Sequence, residues 1–584
     1  MNEVWNLSPI YGSFQDPAYE QDFAALQKTI ENFSDFTGAL DQKKPLEGLK
    51  TGICMEESMV QLVNKLAEYA SLRQAADARD QEAGSQMGRI MGVYSAAAAP
   101  EAAFRQWAAG IPNLMELIEQ DPVLKEYTFL LANMQKASRY LMNGKAEEVA
   151  AKMGLSGGSA WAELHGYLTS TVPVEYEGKT ITLSAVRNLA YDHDPQVRKN
   201  AYEAELKCYD RIKDSIAYAL NSLKLETISD CQLRGYASPL DRTLEQADMK
   251  RETLSAMLAA MDEYLPYFVK YLKTKGKALG HENGLPWYDL FAPMGKSSTC
   301  FTTEQARDFL VEQFRDFNPE EAQMISDAFS QEWIDFFPRD GKAGGAFCAG
   351  VESIGQSRIL TNFDGAFTDV VTLAHELGHA YHNYCIRDHR PLNHDYSMPV
   401  AETASTFNEC VVMASAINKA TDPQEKLALI ESQLQDATQI ICDIYSRFRF
   451  EDGVFKNREE SFMPADTLCE MMVQAQKDCY GDGLDPQVLH PYMWVCKSHY
   501  YGSTYYNFPY AFGGLFARGL YAQYEKEGKA FIPKYKKLLH TTTVATAEDT
   551  AKVAGIDLTD KAFWCSALET IAQEIELFCQ LVEA

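Results

Sequence analysis

Phe367-Thr-Asp-Val-Val-Thr-Leu-Ala-His-Glu-Leu-Gly-His-Ala-Tyr-His382 is the most informative stretch of this chain. Its apolar residues recur at steps of three and four, which predicts an amphipathic helix with His375 and His379 on one face. Two imidazoles so placed can bind one tetrahedral metal ion. Glu376 is turned by roughly 100° around the helix, so it would miss the metal and face a water as general base. The alternative is a solvated helix face, because so short a motif also arises by chance.

A second pattern supplies a third ligand. The stretch Met398-Pro-Val-Ala-Glu402-Thr-Ala-Ser-Thr-Phe-Asn-Glu409 is predicted to begin a helix after the break at Pro399, and Glu402 follows His379 by 402 − 379 = 23 residues. That separation lets one helix end and the chain turn back to present a carboxylate. Two imidazoles and a carboxylate suit zinc, so we predict one Zn²⁺ per chain, held by His375, His379 and Glu402.

Three further side chains near these motifs have expected roles. Glu409 follows Glu402 by two helical turns, so it is expected on the same face, where it can hydrogen-bond a metal-bound imidazole. The alternative for both glutamates is an exposed helix charge. His382 is expected to be a helix-face or subsite residue rather than a ligand, and His394 is expected in a loop.

The rest of the sequence predicts a mainly α protein. Helical periodicity covers residues 20–33, 55–76, 196–230 and 251–279. Alternation around Glu177-Gly178-Lys179 predicts a hairpin within residues 172–183, and residues 357–363 read as a second β segment. Gly and Pro in residues 280–300 indicate a connection between helices. We divide the sequence near residue 190, into regions 1–190 and 191–584.

Composition excludes several classes of function. The 584 residues include 82 acidic and 54 basic side chains, and the net charge of −28 disfavours nucleic acid and anionic membranes as partners. No basic segment followed by an apolar one opens the chain, and no run of about eighteen apolar residues occurs. The 13 scattered cysteines favour reduced thiols. A cytoplasmic location is therefore expected. The sequence does not determine the oligomeric state, with a monomer slightly favoured.

These features together resemble one known family, the oligoendopeptidase F branch of the thimet oligopeptidase-like zinc endopeptidases. The likeness covers nearly the whole chain, and besides the zinc motif it rests on Trp5, Leu7 and Tyr11, on Trp287-Tyr-Asp-Leu-Phe-Ala-Pro293, and on Ala554-Gly-Ile-Asp557 before Phe563-Trp564. The resemblance implies a mainly α, two-lobed peptidase with a deep substrate channel and a small β-sheet next to the zinc helix.

The resemblance also assigns a strand for binding the substrate. Gly344 and Gly345, together with Ser357, Arg358 and Ile359, resemble the family's edge strand, which pairs with the peptide backbone. Main-chain pairing binds peptides of variable sequence, because it does not read side chains. The alternative is a plain core strand.

A third segment resembles the part of the family that faces the metal. In His499-Tyr-Tyr-Gly-Ser-Thr-Tyr-Tyr-Asn-Phe-Pro-Tyr510, we expect His499, Tyr506 and Tyr510 to stabilise the developing oxyanion. Phe508 departs from the family, since many relatives have a tyrosine there, and it cannot donate a hydrogen bond. Without the resemblance, core packing is the favoured explanation for so aromatic a segment.

The sequence therefore predicts a zinc-dependent metalloendopeptidase that hydrolyses internal bonds of short, unstructured peptides, with no covalent intermediate. Two alternatives remain open. One is an exopeptidase of the same clan, of dipeptidase or carboxypeptidase type, which needs a charged pocket for a peptide terminus. The other is a non-catalytic peptide-binding scaffold, which would be expected to lose the base first, whereas Glu376 is present.

Overall fold

A computed structural model describes residues 3–41, 43–295 and 300–584. Its first fourteen α-helices are α1 (Pro17–Gly38), α2 (Pro45–Ala76), α3 (Gln81–Tyr94), α4 (Ala98–Ala109), α5 (Leu114–Ile118), α6 (Pro122–Glu126), α7 (Thr128–Ala137), α8 (Gly144–Ser156), α9 (Gly158–Thr171), α10 (Leu183–Asn188), α11 (Pro195–Tyr209), α12 (Lys213–Arg234), α13 (Pro239–Gln246) and α14 (Arg251–Ala278).

The later helices are α15 (Thr303–Phe317), α16 (Pro319–Ser330), α17 (Phe367–Ile386), α18 (Met398–Ala401), α19 (Thr403–Lys419), α20 (Pro423–Thr438), α21 (Ile444–Arg458), α22 (Ala465–Tyr480), α23 (Met493–Cys496), α24 (His499–Gly502), α25 (Phe508–Glu527), α26 (Ile532–Thr541), α27 (Ala547–Lys552) and α28 (Lys561–Glu583). The strands are β1 (Val174–Tyr176), β2 (Lys179–Ile181), β3 (Ile334–Asp335), β4 (Phe347–Val351) and β5 (Gln356–Leu360). Helices hold 72% of the residues, which confirms the mainly α prediction.

The chain forms two compact units. The first comprises Met1–Arg139, Thr299–Val412 and Gln523–Gly555, and the second comprises Tyr140–Ser298, Met413–Ala522 and Ile556–Ala584. Each unit is thus assembled from separate stretches of the chain. The predicted boundary near residue 190 rests on sequence patterns rather than on compactness, and the division at that point stays a prediction.

The predicted hairpin and the predicted connection after α14 are present, whereas the predicted helix over residues 196–230 is corrected. The hairpin β1–β2 turns at Glu177 and Gly178, whose φ angles of 48° and 76° are those of a two-residue hairpin loop. The helical stretch 196–230 is two helices, because the N–H groups of Arg211 and Ile212 bond back three residues and close α11. The connection after α14 is present as far as it is described, and residues 296–299 lie outside the described part.

The first unit contains a three-stranded sheet in the order β3-β5-β4. Strand β5 pairs in parallel with β3 and antiparallel with β4, and α17 packs against both β4 and β5. The N-terminal segment lies on the same sheet: the Trp5 and Phe347 rings are 6.2 Å apart, and the buried Arg358 guanidinium donates to the carbonyl of Asn6. The small sheet next to the α17 helix is therefore confirmed.

The second unit is helical apart from the β1–β2 hairpin, within the part of the chain that is described. Its longest pair, α14 and α28, packs Tyr271 against Phe578 with ring centres 5.0 Å apart. One buried pair of charges joins its helices: Lys275 of α14 lies 2.5 Å from Glu431 of α20 in the interior. Removing either partner of such a pair would leave an uncompensated charge in the interior, which is strongly destabilising. Across the described residues of both units, none of the helices combines the length and the apolar character that crossing a membrane requires.

Candidate active site

Helix α17 positions the two motif histidines. Asp369 caps its first turn by accepting hydrogen bonds from the backbone N–H groups of Asp364 and Ala366. The helix buries an apolar face that includes Leu373 and Leu377, which is why it lies fixed against the sheet. His375 and His379 lie on another face, partly exposed, with ring centres 4.9 Å apart. The predicted helix and the common face of the histidines are both present.

Glu402 lies at the junction of two helices. Pro399 falls in the first turn of α18, and Glu402 leaves the helical conformation (φ −90°, ψ 11°) before α19 begins. One of its carboxylate oxygens, Oε2, is 3.3 Å from Nε2 of His375 and 3.3 Å from Nε2 of His379. Donor atoms of these three residues all lie within 4.8 Å of one another, so the group can hold a metal ion.

Two residues that the sequence analysis missed fix this geometry. Ser405 donates from Oγ to Glu402 Oε2 over 2.7 Å, and its place three residues after Glu402 at a helix start was the available signal. Gly378 lies where α17 meets α19: a Cβ there would be 2.6 Å from the carbonyl oxygen of Ala404 and 2.6 Å from Cα of Ser405. Glycine therefore allows the two backbones to approach closely. The glycine inside the motif was the signal for this contact.

Glu409 reaches the outer side of the same cluster. Its Oε1 is 2.5 Å from Nδ1 of His375, the contact expected from its two-turn spacing. Asn408, the preceding residue, is fully buried and donates from Nδ2 to the carbonyl of Ala374 over 3.2 Å. Helix α19 is thus joined to α17 by both a side-chain and a backbone contact, and the imidazole of His375 is held between two carboxylates.

The electrostatics of the cluster favour a positive charge at its centre. Burial opposes the protonation of His375, but the carboxylates of Glu402 and Glu409 outweigh it and raise its pKa to about 10. Burial also opposes the ionisation of Glu402, yet hydrogen bonds with His375 and His379 hold its pKa far below the ordinary range. The site is therefore an anionic environment that stabilises a cation between its donors.

Glu376 is next to the donor group but does not belong to it. Its side chain is buried, with 6% of its surface exposed, and burial raises its pKa while His375 and His379 oppose the rise. It lies close to Cys348 on β4, whose pKa is raised by burial and then by the charge of Glu376. A carboxylate whose pKa is raised can exchange a proton more readily near neutral pH.

His499, Tyr506 and Tyr510 come together in the second unit. The rings of His499 and Tyr506 stack at 5.1 Å, and Tyr510 lies 5.9 Å from His499 and 5.6 Å from Tyr506. Burial lowers the pKa of His499, followed by the charges of Arg447 and Lys497. The residue that departs from the family, Phe508, is buried and takes no place in this cluster of rings.

The assignment of an edge strand to Ser357, Arg358 and Ile359 is wrong. These residues belong to β5, the central strand of the sheet: Ile359 is paired with both β3 and β4, Ser357 and Arg358 are paired with β4, and each of the three is at most 2% exposed. The edge position belongs to β4, which follows Gly344 and Gly345. Among the strands that the structure describes, β4 pairs only with β5, so its outer edge is unpaired.

His382 and His394 are not part of the donor group. His382 is fully buried, its Nε2 is 2.8 Å from Oγ1 of Thr542, and its ring stacks on Tyr396. His394 lies in a loop, as predicted, directly after a short 3-10 turn. His382 therefore serves packing in the first unit rather than the helix surface.

Comparison with known proteins identifies the family. The model of peptidase family M3 matches residues 188–570, and that of oligopeptidase F matches residues 111–172. The chain belongs to peptidase family M3. Within that family it falls in the oligoendopeptidase F branch, and as an M3 peptidase it is a metallopeptidase, a hydrolase.

Individual relatives of this M3 peptidase agree with that placement. It is 24% identical to oligopeptidase PepF of Bacillus subtilis over 568 residues, covering 95% of this chain and 84% of the relative. It resembles the crystal structure of a candidate peptidase from Chlamydophila abortus (TM-score 0.83, 19% identity, 98% of both chains). It also resembles oligoendopeptidase-F of Enterococcus faecium (TM-score 0.70, 17% identity, 97% of this chain and 99% of the other). At these identities the two structures establish the fold alone.

Proposed function

We propose that this metallopeptidase is a zinc-dependent endopeptidase that hydrolyses internal bonds of short, unstructured peptides, with one Zn²⁺ per chain held by His375, His379 and Glu402. The observation that carries the proposal is the convergence of the three donors within 4.8 Å, next to a buried carboxylate, Glu376, that is not a donor. Membership of the oligoendopeptidase F branch supports peptides as substrates. A cytoplasmic location and a monomer belong to the same proposal.

The donor chemistry fits zinc. Two imidazoles and one carboxylate are borderline ligands of the kind zinc prefers, and three protein ligands leave a position open for chemistry. The contact of Glu409 with Nδ1 of His375 leaves Nε2 of that ring as the donor, which is the usual arrangement for a zinc-bound histidine. When bound, the zinc would act as a Lewis acid, polarising the peptide carbonyl and lowering the pKa of water.

Glu376 would act as the general base and then as the general acid of the reaction. Its carboxylate takes a proton from the attacking water and returns it to the nitrogen of the leaving amine. Burial supports this role because it raises the pKa of Glu376. The protonated carboxylic acid that must donate to the leaving amine therefore forms more readily. No side chain of the site has to form a bond to the substrate, since water is the nucleophile.

Hydrogen-bond donors would stabilise the negative charge on the carbonyl oxygen. His499, Tyr506 and Tyr510 form one ring cluster, which supports a joint role as proposed donors. Tyr510 is 38% exposed, as a side chain that meets a substrate should be. Removing a donor of this kind lowers kcat by about 10²- to 10³-fold in other hydrolases.

The peptide backbone would pair with the outer edge of β4. Space is open beside Gly344 and Gly345, which precede this strand, because no atom lies within 4 Å of an added Cβ at either position. Backbone pairing supplies affinity for sequences of many kinds. In this proposal Ser357, Arg358 and Ile359 support β4 from inside the sheet and do not contact substrate.

The test is hydrolysis of internally quenched, end-blocked peptides by the purified protein, beside a chelated sample with zinc restored. Glu376→Gln is the active-site variant, and Glu470→Gln, at an exposed position of α22, is the matched control. We expect internal cuts that vanish on chelation, return with zinc, are lost in Glu376→Gln and persist in Glu470→Gln.

Three results would contradict the proposal. Full activity of Glu376→Gln would show that Glu376 is not the general base. Removal of terminal residues only, from peptides with free ends, would favour the exopeptidase alternative. A folded, zinc-loaded protein that binds peptides and cuts none would favour the scaffold.

A further inference from the structure

The second unit contains a cavity of about 180 Å³ that the proposed mechanism does not use. Four separate parts of the chain line it: the α10–α11 region, the connection after α14, the segment Gln439–Asp443 and the end of α23. This volume is well above what a single water molecule needs, so the cavity can admit a group as large as a side chain. The segment Gln439–Asp443 is π-helical, a conformation that frequently marks functional sites.

Aromatic rings form much of the cavity wall. They are Tyr191, Tyr202, Trp287, Tyr288 and Phe291. The rings of Tyr191 and Phe291 are 5.0 Å apart, and those of Tyr202 and Tyr288 are 5.8 Å apart. Rings at such distances offer faces and edges to a further aromatic or large apolar group.

One cation in this wall has no direct hydrogen-bond or ion-pair partner among the described residues. Arg198 pairs with Asp289 over 2.8 Å, and Arg187 pairs with Glu205. Lys497, directly after α23, also lines the cavity, but the described residues supply no hydrogen-bond or ion-pair partner for its ammonium group. Lys497 is thus the cavity cation that is left for a ligand.

The surroundings of Lys497 carry an excess of positive charge. Burial lowers its pKa and the charge of Arg447 lowers it further, while the carboxylate of Asp443 opposes the shift and Arg187 adds to it. Each of those arginines already pairs with one carboxylate, Asp443 for Arg447 and Glu205 for Arg187. Three cations therefore face two carboxylates in a chain whose net charge is −28. An anion bound here would complete the pairing of a half-buried charge.

We propose that this cavity binds a carboxylate carried by an aromatic or large apolar group, with Lys497 as the partner of the carboxylate. Lys497 precedes His499 by two residues, so the C-terminal residue of a peptide is one source of such a ligand; that assignment rests on the proposed function. A free acid, such as a released product, is the other source. The ring would contact the aromatic wall, and the carboxylate would accept hydrogen bonds from the ammonium group.

The first experiment measures binding alone. Calorimetry on the Glu376→Gln protein compares N-acetyl-phenylalanine with N-acetyl-phenylalaninamide, which lacks the charge. We expect the acid to bind at least about 10-fold more tightly, since a charge-assisted pair is lost with the amide. Lys497→Met should abolish this preference, Lys497→Arg should keep most of it, and Lys179→Met, at an exposed position on β2, should leave it unchanged. Equal binding of acid and amide, no binding of either, or an intact preference in Lys497→Met would overturn the proposal.

The second experiment identifies the source of the carboxylate. Two internally quenched peptides that differ only in a free or amidated C-terminus are compared by kcat/KM with the zinc-loaded protein. A ratio above about 10 that falls to about 1 in Lys497→Met assigns the site to the substrate end. A ratio of about 1, with the calorimetric preference intact, assigns it to a free acid. If neither peptide is cut, the proposed function fails while the binding result still stands.

Discussion

Replacing Gly378 by alanine is expected to weaken metal binding without unfolding the protein. The added Cβ would lie 2.6 Å from the carbonyl oxygen of Ala404 and 2.6 Å from Cα of Ser405, both of which are backbone atoms. Ordinary contacts of these kinds start near 3.4 Å, so α17 and α19 would have to separate by roughly 0.8 Å. Glu402 immediately precedes α19 and would move with it.

The size of the effect follows from the tolerance of a metal site. Ligand distances have to stay within about 0.2 Å of their ideal values, several times less than the expected displacement. We therefore expect zinc affinity to fall by at least about 10-fold, with kcat/KM falling in parallel at limiting zinc. Overpacking of this kind destabilises by about 1–3 kcal/mol, which a chain of this size should survive.

Zinc affinity is measured by competition with a chromogenic chelator, and folding by circular dichroism and thermal unfolding. Gly92→Ala is the control, because Gly92 lies inside helix α3 with no atom within 4 Å of an added Cβ. That change should stabilise by up to about 1 kcal/mol and leave the zinc affinity unchanged. If Gly378→Ala binds zinc as tightly as the natural protein, close backbone contact does not set the position of Glu402.

Other substitutions probe single contacts. Glu409→Gln should weaken zinc binding by about 10- to 100-fold, because it removes the charge that orients His375. The same chelator assay measures the change. An unchanged affinity would mean that Glu409 does not orient His375. Tyr510→Phe should lower kcat by about 10²-fold with little change in KM, measured by steady-state kinetics, and a change in KM alone would contradict its role as a donor. Glu321 is buried, and burial raises its pKa to about 8. Because its folded-state pKa exceeds the unfolded value near 4.5, its stabilising effect is complete below pH 4.5 and is lost as the pH rises to 8, by up to about 1.4 kcal/mol per pH unit. Denaturant unfolding of Glu321→Gln should lack that slope, and an identical slope would refute it.

The convergence of the three candidate metal donors could be predicted because the information is local. His375, His379 and Glu402 lie within one helix, one turn back and the start of the next helix, so periodicity and spacing suffice. The contact of Glu409 with His375 followed from the same periodicity. These features depend on helical geometry, which a single sequence encodes well.

Features that depend on distant segments escaped prediction. The order of the sheet is set by β3, a two-residue strand with no pattern of its own, and it makes β5 the central strand. The break between α11 and α12 depends on backbone bonds at Arg211 and Ile212 rather than on composition. The cavity beside Lys497 is built from four parts of the chain that no spacing rule connects.

In the proposed mode of substrate binding, the five residues of β4 limit how much of a peptide the strand can hold. At about 3.3 Å per residue, the strand spans roughly 17 Å, and in an antiparallel pair only alternate residues direct their N–H and C=O groups outward. Two or three residues of the strand can therefore bond a partner, whatever the length of that partner. Affinity should rise as peptides lengthen to about five residues and then level off. In the same proposal, fragments shorter than the strand would form fewer backbone hydrogen bonds with it and would dissociate faster, so product release would need no separate conformational change.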